Sequence, residues 1–169
     1  MHESSPIPDA QLVATAYHEA GHAVVALALG RPLHRVTIVP GKTHAGIDSL
    51  GQCQVQKGRF RPSKDELEDE ILILFAGMCA EAQVTGHYST AGAVQDLRAI
   101  RHFVQTRTQG ERQIARLERR LMDKTEHLLL DETNWSAVQR TAAELIENQT
   151  ISGRAARHIF EEIQRQADR

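Results

Sequence analysis

Apolar residues recur at helical spacing through Leu12, Val13, Ala16, Ala20, Val24 and Leu27, between a Pro8-Asp9 start and a Gly30-Arg31-Pro32 stop. That pattern predicts a helix with a buried face. The period then shortens to two. Residues 34–40 alternate Val36 and Ile38 against Arg35 and Thr37, and residues 52–56 alternate Cys53 and Val55 against glutamines. Two short strands are expected, paired antiparallel beside the first helix.

Helical spacing resumes after a basic loop at 58–62. Ser63 followed by Glu66 is a capping-box signature, and Leu67, Ile71, Leu74, Phe75 and Met78 give the next helix its apolar stripe up to Gly86. Ser89 or Thr90 is expected to cap a helix carrying Asp96, Leu97, Ile100, Phe103 and Val104, which Gly110 interrupts. Three further helices are expected at 111–130, 134–148 and 152–166, the last two capped by Asn134 and Ser152. The predicted fold class is mainly α, of the α+β kind, with a small β-sheet beside the first helix.

At 169 residues one domain is expected, spanning 11–166 behind a flexible polar tail at 1–10, and able to bury about two thirds of its unfolded surface. The formal net charge of −2 gives no global field that would favour nucleic acid or an anionic membrane. The longest apolar runs, 23–29 and 71–76, fall well short of the about 20 residues that cross a bilayer. With no hydrophobic leader before Asp9, the expectation is a soluble, cytoplasmic protein without membrane insertion. Cys53 and Cys79 lack metal or redox spacing and read as core thiols in a reducing compartment. Arg112, Arg116, Arg119 and Arg120 gather on one side of a predicted helix; interleaved acids and the lack of aromatics favour a solvated face over a docking face.

The first helix carries His18-Glu19-Ala20-Gly21-His22. Two histidines four apart on a helix project from one face, one turn apart, so their rings can converge on one ion. Glu19 then stands at the rim of that ion. Zinc lowers the pKa of a water to roughly 7, and a carboxylate beside it can take the proton at neutral pH. Amide hydrolysis is the chemistry this spacing suits.

A hydrolytic zinc takes three protein ligands. Val25 and Ala28 stand where the extended metzincin motif needs glycine and histidine, no glutamate occurs between Glu19 and Glu66, and the first cysteine is Cys53. Metzincin, thermolysin-like and deformylase arrangements are therefore disfavoured. The candidates for the third ligand are Asp96, then Glu81 and His87. Gly41-Lys42-Thr43 lacks the earlier glycine of a phosphate loop and reads as a turn.

The stretch TAYHEAGHAVVA at 15–26 resembles the metal helix of the zinc peptidase domain of FtsH-type membrane AAA proteases. HRVTIVP, Leu50-Gly51, the AG-x-x-AE string ending at Glu81, STAGAVQDL and ELIENQTISGRAARHIF follow in that family's order. The resemblance covers most of the chain and is diffuse through the Arg-rich helix. It implies one zinc ion held by His18, His22 and Asp96, with Glu19 as general base and proton shuttle and Glu81 as a partner behind the ligands. Gln95 and Ile100 depart from the residues common at those places.

FtsH-type proteases carry membrane helices and an ATPase module ahead of the peptidase, and neither is seen in this sequence. The expected activity is hydrolysis of peptides or unfolded protein without an ATPase of its own, with the substrate adding to the sheet edge near Gly51, Cys53 and Val55. A separate ATPase or self-association is the expected partnership. The alternative is a zinc-stabilised adaptor that binds polypeptide or a partner unfoldase.

Overall fold

In the computed structural model, which describes residues 8–42 and 48–169, the Asp9 carboxylate accepts from Gln11 N at 3.4 Å and opens α1 (Ala10–Ala28). Gly30, at φ 81°, turns the chain away from its end. Residues 1–7 of the expected tail lie outside the described residues, and Ala10 is already helical. More of α1 is buried than its apolar stripe implied, because small residues let other elements approach from several sides. A Cβ on Gly21 would stand 2.6 Å from Ala80 Cβ, so α2 (Glu66–Thr85) crosses α1 in near backbone contact.

The chain next runs through β1 (Leu33–Thr37), β2 (Gly41–Lys42), β3 (Asp48–Ser49) and β4 (Gln52–Val55). β1 and β4 pair antiparallel as expected, with Val36 opposite Cys53 and Thr37 opposite Gln52. Gly41 and Lys42 were expected to form a turn; they instead pair with β3, and Thr43 lies outside the described residues. β5 (Thr150–Ser152) was not foreseen, since three residues are too few to establish an alternation. It joins the other side of β1, placing Ile151 opposite Val36 and giving the order β4-β1-β5.

Three helix starts differ from the sequence reading, and at α2 and α5 the reason is that a neighbouring side chain reaches the free N–H groups first. α2 is capped by Asp65, which accepts from Glu68 N at 3.0 Å, while Ser63 donates to Asp69 at 2.6 Å. α3 (Val94–Arg107) begins after Ala93 with no side-chain cap; Thr90 opens the preceding turn, and Ser89 lies before it. α5 (Glu132–Asn148) is capped by Asp131, and Asn134 points back to donate to Leu128 O at 2.8 Å. α4 (Glu111–Leu129) follows Gly110 at φ 90°. Ser152 caps α6 (Gly153–Ala167) as expected, accepting from Ala155 N at 3.1 Å.

The described residues thus form six helices, a small three-stranded antiparallel sheet and the two-stranded β2-β3 pair, a mainly α fold. Val24, Val25, Leu27, Ile71, Leu72, Ile100, Leu129 and Leu145 are fully buried among α1 to α5. Each such side chain contributes about 1.5–3 kcal/mol by leaving water. The core wraps α1 and leaves one side of it open to a cleft. Arg112, Arg116, Arg119 and Arg120 are all exposed on α4. No helix among the described residues is long and apolar enough to cross a membrane.

Candidate metal centre

His18 and His22 sit one turn apart on the open side of α1, their ring centroids 4.8 Å apart and inclined at 75°. Each ring is held from behind. His18 Nδ1 lies 2.9 Å from Glu81 Oε2, and His22 Nδ1 lies 2.7 Å from the backbone carbonyl of Ile73, both supplied by α2. Contacts of this kind set tautomer and ring orientation, so both Nε2 atoms point the same way, into the cleft.

The atom they meet is Asp96 Oδ2, 3.2 Å from His18 Nε2 and 3.2 Å from His22 Nε2. Asp96 belongs to the first turn of α3. One nitrogen from each histidine and one Asp96 oxygen lie within 4.8 Å of one another. Tetrahedral zinc with bonds of about 2.0–2.1 Å keeps its donors roughly 3.3 Å apart, so the donor types and the Asp96 spacings both fit that ion. Gly77 makes the room. A Cβ there would stand 2.6 Å from His18 Nε2 and closer still to His22 Nε2.

Glu19 is buried beside these groups, and its Oε2 has no hydrogen-bond partner among the described residues. A buried carboxylate oxygen without a donor is costly to keep, which marks it as waiting for one. Gly51 lets it sit there: a Cβ at that position would be 3.0 Å from Glu19 Oε1 and 2.8 Å from Thr37 O.

Among the protein groups alone, burial pushes the Glu19 carboxyl above the ordinary carboxylate range, against the pull of His22 and His18. Burial disfavours charge on His18, yet its hydrogen bonds to Asp96 and Glu81 outweigh that and raise it to about 10. His22 is likewise raised, burial being overcome by Asp96. Asp96 is held well below its usual range, because the two histidines prevail over its own burial. A cluster balanced in this way favours a positive charge at its centre.

A cleft of about 650 Å³ opens over this cluster. Cys53 and Val55 line it from β4, an outer strand of the sheet, Gly51 lines it just before that strand, and Leu50 and Val94 stand exposed at its sides. Cys53 therefore belongs to the cleft wall, contrary to its reading as a plain core thiol; its thiol is pushed up by burial. Cys79 is the core thiol, raised by burial to about 12. His87, a candidate third ligand, is exposed, with Nδ1 3.4 Å from Thr85 O, and is absent from the donor cluster. Two contributors escaped the sequence reading: the Ile73 carbonyl, which any residue could supply, and Gly77, whose role exists only opposite α1.

The sequence model of peptidase family M41 matches residues 6–109, a stretch that spans the metal helix, β1 to β4, α2 and α3. The chain belongs to peptidase family M41. This M41 domain is 42% identical over 96 residues to the ATP-dependent zinc metalloprotease FtsH of Magnetococcus marinus, a match covering 56% of the chain and 14% of that protein. It is 30% identical over 165 residues to the protein of the same name from Acidimicrobium ferrooxidans, covering 96% of the chain and 23% of the relative. A third relative, ATP-dependent zinc metalloprotease FtsH 2 of Salinibacter ruber, is 29% identical over 152 residues, 89% of the chain and 20% of its own length. The M41 domain thus spans less than a quarter of these relatives, and it is an FtsH-type zinc peptidase domain by family.

Proposed function

We propose that this M41 domain is a zinc endopeptidase acting on peptides and unfolded polypeptide, with one zinc held by His18, His22 and Asp96 and with Glu19 as general base. The convergence of both Nε2 atoms on Asp96 Oδ2, beside a buried Glu19 oxygen that lacks a donor, carries this reading. Zinc in that position supplies Lewis acidity, which polarises a carbonyl and acidifies water.

The protein's own groups account for the other requirements. An extended segment pairs with the free edge of β4, whose backbone N–H and C=O groups would hold it in register past the histidines. Glu19, its proton affinity raised by burial, takes a proton from the attacking water and passes it to the departing amine. Glu81 holds His18 in orientation, and Gly51 keeps the Glu19 carboxylate within reach of the segment lying on β4. An extended chain is needed because only an unpaired backbone can add to a strand edge, so folded proteins would require an ATP-driven unfoldase. The relatives' names, ATP-dependent zinc metalloproteases, fit such a coupling. Two free thiols suit a reducing compartment such as the cytoplasm.

Zinc content and cleavage of unfolded casein, measured together, test the assignment. Glu19→Gln should keep zinc and lose about 10²- to 10⁴-fold in rate, while Asp96→Ala should lose zinc as well. Cleavage by Glu19→Gln at the unsubstituted rate, or undiminished zinc in Asp96→Ala, would refute the respective role.

A further inference from the structure

We propose that Arg98 reads the charge of the polypeptide in the cleft and selects segments with an acidic side chain where they pass the flank formed by α3. This rests on the peptidase reading of the same cleft. The other charged groups on the cleft wall are already engaged: Glu81 and Asp96 hold the histidines, Glu19 stands at the reaction centre, and Glu70 is paired with Arg31. Arg98 lines the cleft, is exposed, and has no carboxylate partner among the described residues. Its neighbours on α3 contrast with it, since Arg101 is tied to Glu111 and Glu118 and Arg107 to Asp65.

Position makes that cation relevant to selection. Arg98 lies two residues beyond Asp96, about 3 Å along the helix axis and about 160° around it, so it reaches the cleft from the flank. Its side chain therefore meets a substrate residue along the flank of the cleft, displaced from the carbonyl at the histidines. Val94 is one turn back on the same face of α3 and is an exposed apolar surface. Gln11, Gln52 and Gln95 complete the wall with amides, which hydrogen-bond without regard to the sign of charge. Discrimination by sign thus falls to Arg98, whose planar fork suits a carboxylate in two-point contact.

The test uses the zinc-loaded Glu19→Gln chain, so that binding is read without turnover. Fluorescence anisotropy is measured for a Leu/Ala-based peptide in which one Asp, Asn or Lys is moved along the sequence. At one or two adjacent positions the Asp peptide should bind about three- to tenfold more tightly than the Asn peptide, and the Lys peptide more weakly than either. Adding Arg98→Glu should invert that order, and raised salt should flatten it. Equal affinity for the three side chains at every position, or an order that Arg98→Glu leaves unchanged, overturns the proposal. Failure of every peptide to bind overturns the peptidase reading and this proposal together, a result distinct from binding without discrimination.

Discussion

Glu81 Oε2 lies 2.9 Å from His18 Nδ1, joining two residues 63 apart in sequence inside a buried contact between α1 and α2. The pair locks the imidazole so that its other nitrogen faces Asp96, and the negative charge behind the ring makes that nitrogen a stronger donor to a cation. Glu81→Ala should weaken zinc binding about 10- to 100-fold, and Glu81→Gln, which still offers an acceptor oxygen, should lose less. Competition against a calibrated chelator reads both; zinc affinity unaltered in Glu81→Ala would show that the pair has no bearing on the metal.

Gly77 is the complementary case, in which absence of a side chain matters. A methyl group there would overlap both His18 Nε2 and His22 Nε2. By propensity alone Gly77→Ala should stabilise α2 by roughly 1 kcal/mol, so steric displacement of the rings opposes an intrinsic gain. Zinc affinity is expected to fall at least about tenfold while helical circular dichroism is retained. A variant with full zinc affinity would mean that the rings have space to move aside.

Gln149 takes φ 65° and ψ −36° between α5 and β5, a region that suits glycine far better than a residue with a Cβ. Its backbone is fully used, since its N–H donates to Leu145 O at 2.7 Å and its carbonyl accepts from Ile38 N at 2.8 Å. Gln149→Gly should relieve up to about 1 kcal/mol of strain, part of it offset by the greater freedom of glycine in the unfolded chain. The expected rise in melting temperature is up to about 2–4 °C. A lower melting temperature would show that the side chain contributes more than the strain costs.

Asp65 caps α2 and is pulled down to about 2, first by hydrogen bonds from Arg107 and then by the Glu68 N–H. Its unfolded value is about 3.9, so the folded state favours the carboxylate. The stabilisation is present above about pH 4 and is lost as pH falls through about 2. Arg107→Ala removes the larger cause, and the stability difference from the unsubstituted chain should be greatest above about pH 4 and vanish below about pH 2. Both groups are partly exposed, so added salt should shrink the difference. Urea unfolding across this range decides it; a difference that grows on acidification would contradict the assignment.

Much of the fold was legible along the chain because its signals are local. Asp9, Gly30, Gly86, Gly110 and Ser152 end or begin helices where expected, and β1 and β4 follow from strict alternation. The misplaced caps at Ser63 and Asn134 fail for one reason: several polar residues near each helix start could accept, and the winner is set by the direction in which the chain arrives. β5 escaped because three residues acquire strand character only by lying against β1.

The sequence by itself determined that two histidines and a glutamate would share one helical face, since helical geometry fixes how residues at that spacing project. Only the tertiary structure decided that Asp96 rather than His87 meets them, that Ile73 and Glu81 hold the rings from behind, and that Gly77 leaves the space between. Those choices depend on how α2 and α3 pack against α1. Helix packing is settled by side-chain volumes summed over the whole core, which no local window of the sequence contains.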